Sequence, residues 1–246
     1  MGRLEVYWLT AAEYGVPPGD EWLSHAEIAF LDSLRNPKRR ADWRLGRWTA
    51  KLAIAAYYDR AHDFPALARI EAWPRASGAP EAFCGGRRAG VSISLSHSHG
   101  VALCAITPPD AALGCDIEQV TPHSRAFLAD YFTGEEQKAV EFLPEIQRDR
   151  VLTLLWSAKE SVLKLLQTGL RADTRSVGSN PAGVLASRRE TWHPLIANDF
   201  AGRTFHGWWR ESGEFMLTMA AVPRPSEPLA LSTRLFPSRE ELGARS

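Results

Sequence analysis

The sequence has few cysteines and no net charge, and each shortage excludes a class of protein. Its three cysteines, Cys84, Cys104 and Cys115, are odd in number and lack the spacing of a metal knuckle. They predict reduced thiols with structural roles, as in a cytosolic enzyme. Lys and Arg together number 29 and balance 29 Asp and Glu, so bulk charge indicates no general affinity for nucleic acid or anionic membranes.

Long apolar runs are also missing. No stretch reaches the roughly 20 apolar residues that cross a bilayer, and the first residues lack the apolar segment of a signal peptide. We therefore expect a cytoplasmic protein. The 246-residue chain does contain 45% hydrophobic residues, which is enough for the core of one large domain or two smaller ones.

The segment Trp156–Lys164 is the centre of the candidate site. Neither Pro nor Gly interrupts residues 151–166, and this run predicts a helix stopped by Gly169. Residues four apart share a helix face, so Trp156, Glu160 and Lys164 lie in one line, in which Glu160 and Lys164 are the acid and the base. Taken alone, such a pair is more often an ordinary ion pair on a solvated face, worth ~0.2–0.5 kcal/mol.

A second acidic cluster, at Gly114–Glu118, favours a functional site. It belongs to a predicted strand over residues 113–120, in which Asp116 and Glu118 point one way while the residues between them face the core. Together with Glu160, these side chains make three carboxylates. Oxygen ligands of this kind suit one hard divalent cation, so the residues predict a metal site between a strand and a helix.

Three further segments carry candidate groups. Alternation over residues 91–106 predicts a hairpin with Ser96 and His97 at its tip, where a histidine is either structural or a hydrogen-bond donor to an anion. Residues 38–58 predict a long helix with a basic start. A capped helix begins near Glu136, whose carboxylate either complements the helix dipole or acts in catalysis.

The order of elements indicates two similar halves. A strand at residues 4–9 opens the chain, residues 169–189 are irregular, and a hairpin at residues 204–222 precedes a possible strand at residues 229–236. No repeat is visible in the sequence itself, yet the order strand, helix, loop and strand pair occurs twice. We expect an α/β (α+β) fold whose halves pack as a pseudo-twofold intramolecular dimer. The predicted division is residues 1–112, residues 113–237 and a charged tail at residues 238–246.

Four motifs together closely resemble those of the 4'-phosphopantetheinyl transferase superfamily. They lie at Ser94–Ser98, Gly114–Glu118, Phe132–Glu136 and Trp156–Lys164. The resemblance begins near Lys38, and its most specific part is the pairing of the GxDxE and WxxKExxxK motifs. It points to the larger, single-chain, surfactin-synthetase-activating type, which serves fatty acid, polyketide and nonribosomal peptide synthases.

The resemblance implies an enzyme of the holo-[acyl-carrier-protein] synthase type. Such enzymes move the 4'-phosphopantetheine arm of coenzyme A onto a serine of an apo acyl or peptidyl carrier protein. They release adenosine 3',5'-bisphosphate and use Mg²⁺. We expect a monomer with its active site in the cleft between the halves and with no nucleic-acid or membrane partner. The alternatives are a metal-dependent phosphodiesterase and a catalytically silent relative that binds carrier proteins.

The resemblance also assigns roles to individual residues. Asp116, Glu118 and Glu160 would bind Mg²⁺, and Lys164 would contact the pyrophosphate of coenzyme A and neutralise or protonate the leaving phosphate. The base for the carrier serine is open between Glu160, acting through water, and Glu136. The nucleotide side is residues 1–112, and the metal and catalytic side is residues 113–237. The other expected coenzyme A contacts are Lys38, Arg39, Arg40, Arg75, Ser96 and His97.

Two positions depart from the family's usual pattern. The loop Gly78–Pro80 has Ala79 where the family commonly has lysine, so one expected basic contact is absent. Arg75 is an open candidate to replace that contact. The hairpin motif begins with Ser94 where the family often has asparagine, which is a milder change.

Overall fold

Two long helices, each packed against its own sheet, organise the fold in the computed structural model. The structure describes residues 3–60, 63–168, 172–180 and 184–232. Its helices are α1 (His25–Ser33), α2 (Pro37–Tyr57), α3 (Phe64–Ala68), α4 (Arg125–Tyr131), α5 (Gly134–Val140) and α6 (Glu145–Leu165). Within these described ranges no helix is long and apolar enough to span a bilayer.

The strands form three sheets. In chain order they are β1 (Tyr7–Ala12), β2 (Ile70–Pro74), β3 (Pro80–Cys84), β4 (Arg87–Arg88), β5 (Ser92–Ser98), β6 (Val101–Thr107), β7 (Ala112–Gln119), β8 (Val177–Ser179), β9 (His193–Asp199), β10 (Thr204–Ser212), β11 (Phe215–Val222) and β12 (Leu229–Ala230). The orders within the sheets are β12-β1-β6-β5, β7-β11-β10-β9-β8 and β2-β3-β4. The mixed α/β class predicted from the sequence is therefore confirmed.

Each long helix covers one sheet and buries its apolar side there. Helix α2 packs on β1 and β6, whereas α6 packs on β7 and β11. A further apolar cluster joins the two larger sheets through residues such as Leu103, Ala105, Cys115 and Ile117. Strand β7 is consequently buried on both faces, with α6 on one face and the neighbouring sheet on the other. The division of the chain at residue 112 stays a prediction.

Local sequence signals account for most of the elements. Asn36 caps α2 through its side chain, and Pro37 occupies the first turn, where its missing N–H costs nothing. The predicted helix over residues 38–58 is therefore confirmed, as are the hairpins β5–β6 and β10–β11. Helix α6 begins earlier than residue 151, at Glu145. Its predicted stop, Gly169, lies outside the described residues.

The sequence predictions were wrong in three places. Strand β1 covers Tyr7–Ala12 rather than residues 4–9, because Leu4 instead forms a bridge with Pro225. The last strand is limited to Leu229–Ala230, and it pairs in parallel with β1. Residues 233–246, with the predicted tail, lie outside the described residues. Strands β3, β4, β8 and β9 were not predicted.

The cysteines differ in exposure, and this predicts their reactivity. All three are free thiols. Burial raises the pKa of Cys115 to about 11 and that of Cys104 well above its usual value. Burial also raises the pKa of Cys84, but this side chain is only partly buried and Arg60 opposes the shift.

Because the thiolate is the reactive form, iodoacetamide at pH 8 is expected to alkylate only Cys84 in the folded protein and all three cysteines in denaturant. Mass spectrometry that finds rapid native labelling of Cys104 or Cys115 would contradict the burial.

Candidate active site

Serine side chains of β5 bridge to the carboxylates of β7. Residues at alternate positions of a strand share a face, and Ser94, Ser96 and Ser98 all point toward β7. The Ser96 hydroxyl donates to Asp116 Oδ1 at 2.7 Å, and the Ser98 hydroxyl donates to Glu118 Oε2 at 2.8 Å. The polar side of β5 thus joins the two larger sheets and fixes the side chains of both strand carboxylates.

Lys164 of α6 completes this contact from the other side. Its Nζ lies 2.7 Å from Asp116 Oδ1 and donates to Ser96 Oγ at 2.9 Å and to the Cys115 carbonyl at 3.2 Å. Burial acts to lower the pKa of Lys164, but the interactions with Asp116, Cys115 and Glu160 together outweigh burial and raise the pKa. Because 26% of its side chain remains exposed, Lys164 is a fixed positive charge that solvent or a ligand can reach.

Glu160 lies one helical turn before Lys164 and brings a third carboxylate to the site. Burial raises the pKa of Glu160 to about 6; Lys164 acts to lower it, and the negative charges of Asp116 and Glu118 raise it further. Burial, followed by the charge of Asp116, likewise raises the pKa of Glu118. These mutual effects show that the three carboxylates share one electrostatic environment.

Two carboxylate oxygens at this site are buried without a hydrogen-bond partner. They are Asp116 Oδ2 and Glu160 Oε1. In contrast, the second oxygen of Glu118 accepts a hydrogen bond from the Trp156 indole N–H at 3.3 Å. Buried anionic oxygens are costly unless they are paired, so Asp116 and Glu160 each present an acceptor suited to a cation.

The donor chemistry of the site fits a hard divalent cation such as Mg²⁺, although the described side chains do not enclose one. Three carboxylates provide the required oxygen ligands. Among the residues that the structure describes, no group of three or more Asp, Glu, His or Cys side chains is arranged so that it could hold a metal ion. The fit therefore rests on the oxygen donors and on the two unpartnered oxygens.

Gly114 permits the close approach of α6 to β7. A Cβ atom at this position would lie 1.8 Å from the Ser161 carbonyl oxygen and 2.6 Å from the Leu165 backbone nitrogen. Both distances are far shorter than atoms can approach without bonding. The glycine of the GxDxE motif therefore sets the distance between the strand of Asp116 and the helix of Lys164.

A cleft of about 800 Å³ opens beside Lys164. One wall consists of the loop Arg75–Pro80 and of β5, and the other contains residues at the start of β7 and at the end of α6, including Gln167. Arg75 thus lines the same cleft as Lys164, and it pairs with Glu81 at 3.0 Å. A larger cavity of about 1120 Å³ lies around α5 and Phe200 and is lined in part by Glu136, but not by Lys164. The described lining of neither cavity includes Asp116, Glu118 or Glu160.

The structure does not bring every predicted residue to the carboxylates. His97 is exposed on the opposite face of β5 from Ser96. Lys38 is exposed and pairs with Asp42 at 2.7 Å. Arg40 donates to the carbonyls of Leu31 and Leu34 at the end of α1. The described lining of the cleft includes neither these basic residues nor Arg39, which is exposed.

Glu136 also lies in a different environment. Its Oε2 accepts the backbone N–H of Thr133 at 2.8 Å in a capping box and pairs with Lys159 Nζ at 2.8 Å. Its Oε1 accepts the backbone N–H of Ser179 at 3.3 Å. Successive helix residues point about 100° apart, so Lys159 leaves α6 in a different direction from Glu160. The contacts of Glu136 described here are therefore made with the backbone and with a buried lysine, and not with the other three carboxylates.

The comparison with known families concerns the part of the chain that carries the carboxylates. Residues 112–216 match the sequence model of the 4'-phosphopantetheinyl transferase superfamily. The matched part is similar to that superfamily and covers less than half of the chain. It contains Asp116, Glu118, Glu160 and Lys164, whereas Ser96 and the basic residues of the first half lie outside the matched region. The larger, single-chain type stays a prediction.

One relative extends this finding. The 4'-phosphopantetheinyl transferase HetI from Nostoc sp. strain PCC 7120 is 30% identical to the chain over 83 residues. The aligned part covers 33% of this chain and 35% of HetI. The chain therefore spans about a third of the length of this relative, and the similarity is to part of a phosphopantetheinyl transferase.

Sequence reasoning missed three residues that shape the site. The side chains of Ser98 and Trp156 donate hydrogen bonds to the Glu118 carboxylate. Gly114 has no side chain and therefore allows α6 to pack closely on β7. The motif letters include Gly114 and Trp156, but a motif does not reveal which atoms its residues contact. Alternation along β5 was a usable signal for Ser98, since it places this serine on the same face as Ser96.

Proposed function

We propose that this protein transfers the 4'-phosphopantetheine arm of coenzyme A to a serine of an apo acyl or peptidyl carrier protein, with Mg²⁺. Adenosine 3',5'-bisphosphate would be the second product. The proposal is supported by the superfamily match over residues 112–216. The observation that carries it is the junction of Asp116, Glu160 and Lys164, at which two buried carboxylate oxygens have no partner beside a cationic ammonium group.

The chain's own residues supply binding and charge. Asp116, Glu118 and Glu160 would hold Mg²⁺, which when bound would neutralise pyrophosphate oxygens and polarise the phosphorus atom. Lys164 would offset the negative charge of the leaving phosphate, since its raised pKa keeps it protonated, or would protonate that phosphate. Ser96 would hold Lys164 in place and share its hydrogen bonds with phosphate oxygens.

The remaining coenzyme A contacts are proposed for the first half. Arg75 lines the cleft, where the 800 Å³ of space suits part of the nucleotide. Lys38, Arg39 and Arg40 would meet the 3'-phosphate only if the ligand extends beyond the lining of this cleft. His97, exposed near the hairpin tip, is proposed as a donor to a phosphate oxygen. Arg is well suited to such contacts because its guanidinium donates to two oxygens at once.

We propose Glu160, rather than Glu136, as the base for the carrier serine. Both oxygens of Glu136 accept hydrogen bonds from the framework, and this carboxylate is paired with a buried lysine. Glu160 instead lies beside Asp116 and Lys164 with an unpartnered oxygen, and it would activate the carrier serine through a water molecule.

Two isosteric variants test this assignment. Glu160→Gln is expected to lower the transfer rate about 100-fold or more, because it loses both the proposed base and a charged Mg²⁺ ligand. Glu136→Gln is expected to lower the melting temperature while it keeps the wild-type shape of the pH-rate profile. The check is kcat between pH 5 and 8 for each folded variant. Loss of the acid limb in Glu136→Gln, with Glu160→Gln active, would reverse the assignment.

A mass measurement tests the function itself. The protein is incubated with coenzyme A, Mg²⁺ and an apo carrier protein, and the carrier is then weighed. A phosphopantetheine mass gain on the carrier is expected. Coenzyme A hydrolysis without modification of the carrier would instead support a phosphodiesterase, and a stable complex without either product would support a catalytically silent carrier-binding protein. Omission of Mg²⁺ tests the metal, and a panel of acyl and peptidyl carriers tests the partner.

The setting of the reaction is proposed from the sequence. We propose a monomer in the cytoplasm. We also propose no nucleic-acid or membrane partner, since the charge of the chain is balanced. The holo-[acyl-carrier-protein] synthase type remains part of this proposal. Light scattering at the concentration used for kinetics tests the oligomeric state.

A further inference from the structure

Lys159 is a fully buried cation that the proposed chemistry does not use. Its Nζ pairs with Glu136 Oε2 at 2.8 Å and donates to the carbonyl of Thr174 at 3.2 Å and to that of Val177. Glu136 in turn forms the capping box of α5 with Thr133. One ammonium group therefore ties α6 to the start of α5 and to the segment that leads into β8.

Lys51 makes the same set of contacts in the first half. It is also fully buried, and its Nζ pairs with Glu27 Oε2 at 2.7 Å. It donates to the carbonyl of Leu67 at 2.9 Å and to that of Ile70, at the start of β2. Glu27 forms the capping box of α1 with Ser24. The partners of the two lysines thus match one for one: a capping-box glutamate and two carbonyls three residues apart before a strand.

The residues around the two lysines also match in sequence. Trp48-Thr49-Ala50-Lys51 in α2 corresponds to Trp156-Ser157-Ala158-Lys159 in α6. This short repeat was not recognised in the sequence analysis. The match ends at the next position, where α2 has Leu52 and α6 has Glu160. One turn later, α2 has Ala56 where α6 has Lys164. The residues that the two helices share make structural contacts. The α6 residues that differ from α2, Glu160 and Lys164, belong to the candidate site.

We propose that Lys159 is a positioning residue for transfer: it fixes the rotation and axial position of α6, so that Glu160 and Lys164 face β7. A rotation of α6 would move both side chains together, because they lie on one helical face. Shifts of about 1 Å in a catalytic group can cost about 100-fold in rate. Lys51 makes the equivalent contacts in α2, where the proposed coenzyme A contacts Lys38, Arg39 and Arg40 lie at the far end of the helix, and Lys51 is the matched control.

Burial of the charges fits a positioning role. Neither charge of the pair Lys159–Glu136 has an aqueous environment, and a buried ion pair is often no more stabilising than apolar packing. The pair does, however, require one geometry, since each partner is costly when it is left alone. We therefore expect this buried ion pair to fix the position of α6, and to contribute little to the free energy of unfolding.

The kinetic part of the test rests on the proposed transferase function. The variants Lys159→Met and Lys51→Met each remove one buried ammonium group at similar side-chain length. Both are expected to lower the melting temperature by about 10 °C, because both leave a buried glutamate unpaired. At about 15 °C, kcat is expected to fall about 100-fold in Lys159→Met and to stay within about twofold of wild type in Lys51→Met. KM for coenzyme A should change little in either variant.

A spectroscopic measurement does not depend on transfer. The protein is labelled with 5-fluorotryptophan, and the ¹⁹F resonances of Trp156 and Trp48 are assigned with Trp156→Phe and Trp48→Phe. Lys159→Met is expected to shift the Trp156 resonance and leave that of Trp48, whereas Lys51→Met is expected to do the opposite. If either single variant does not fold, the double variants Glu136→Gln/Lys159→Met and Glu27→Gln/Lys51→Met remove both buried charges and allow the same comparison.

The outcomes separate the two proposals. Equal kcat values in the two lysine variants, or an unmoved Trp156 resonance in Lys159→Met, would overturn the positioning role. A wild-type protein that modifies no carrier would overturn the proposed function, and the Trp156 resonance would then decide the positioning role by itself. A loss of kcat in Lys159→Met but not in Lys51→Met, together with a shift of the Trp156 resonance in Lys159→Met alone, supports the positioning role of Lys159.

Discussion

Asp116→Asn is expected to abolish transfer while the protein remains folded. The change keeps the size of the side chain and removes the negative charge on which Lys164 and the proposed Mg²⁺ both depend. Metal-assisted charge stabilisation contributes several kcal/mol to reactions of this kind, so we expect kcat/KM to fall about 1000-fold or more. The assay is the rate of mass gain on an apo carrier protein at saturating Mg²⁺.

The same substitution has a smaller effect on stability. Asparagine can still accept the hydrogen bond from Ser96, but Lys164 loses the carboxylate that raises its pKa. Because Lys164 is partly exposed, we expect a loss of about 1–3 kcal/mol in the free energy of unfolding. The control is Asp173→Asn, at an exposed carboxylate paired with Arg175, which should leave transfer unchanged. A folded Asp116→Asn protein with normal kcat/KM would remove this carboxylate from the site.

Gly114→Ala is expected to be the most damaging single methyl group that can be added near the site. Its Cβ would meet backbone atoms of α6 at Ser161 and Leu165, which cannot move as a flexible side chain can. Either the helix separates from β7 or the strand bends. We expect a loss of about 3 kcal/mol or more in the free energy of unfolding. In any molecules that fold, transfer should be lost because the distance between Asp116 and Lys164 increases.

Gly46→Ala provides the matched control. Gly46 lies within α2, and a Cβ there would have no atom within 4 Å. Alanine has the higher helix propensity, so this variant is expected to gain about 0.5–1 kcal/mol. Urea unfolding of both variants, followed by circular dichroism, gives the comparison. A Gly114→Ala protein as stable as wild type would mean that α6 does not lie as close to β7 as the structure places it.

Elements that are governed by neighbouring residues could be predicted from the sequence. The cap of α2 at Asn36 and the capping box at Thr133 and Glu136 are complete within one helical turn. The β5–β6 hairpin likewise depends on its own turn, where His99 and Gly100 adopt positive φ angles. The alternation of polar and apolar residues in β5 was also visible in the sequence. The sequence did not reveal that the serines of β5 contact the carboxylates of β7.

Features that depend on distant partners could not be predicted. Glu136 was considered as a base because its position in the motif suggested chemistry, but its nearest charged partner, Lys159, belongs to another helix. No local pattern identifies a buried ion pair across elements. Strand β9 was missed as well, because it is stabilised by pairing with β10 and β8 on its two sides rather than by a local pattern.

The return of the chain to its first strand has a consequence for folding during synthesis. Strand β1 lies between β6 and β12, and residues 224–231 hydrogen-bond along Leu4, Val6 and Trp8. While a ribosome is still making the second half, the first sheet therefore has an open edge with unpaired backbone groups. That edge closes only after residues 224–231 have been translated and have left the exit tunnel, so the nascent chain must avoid strand exchange with its neighbours until then.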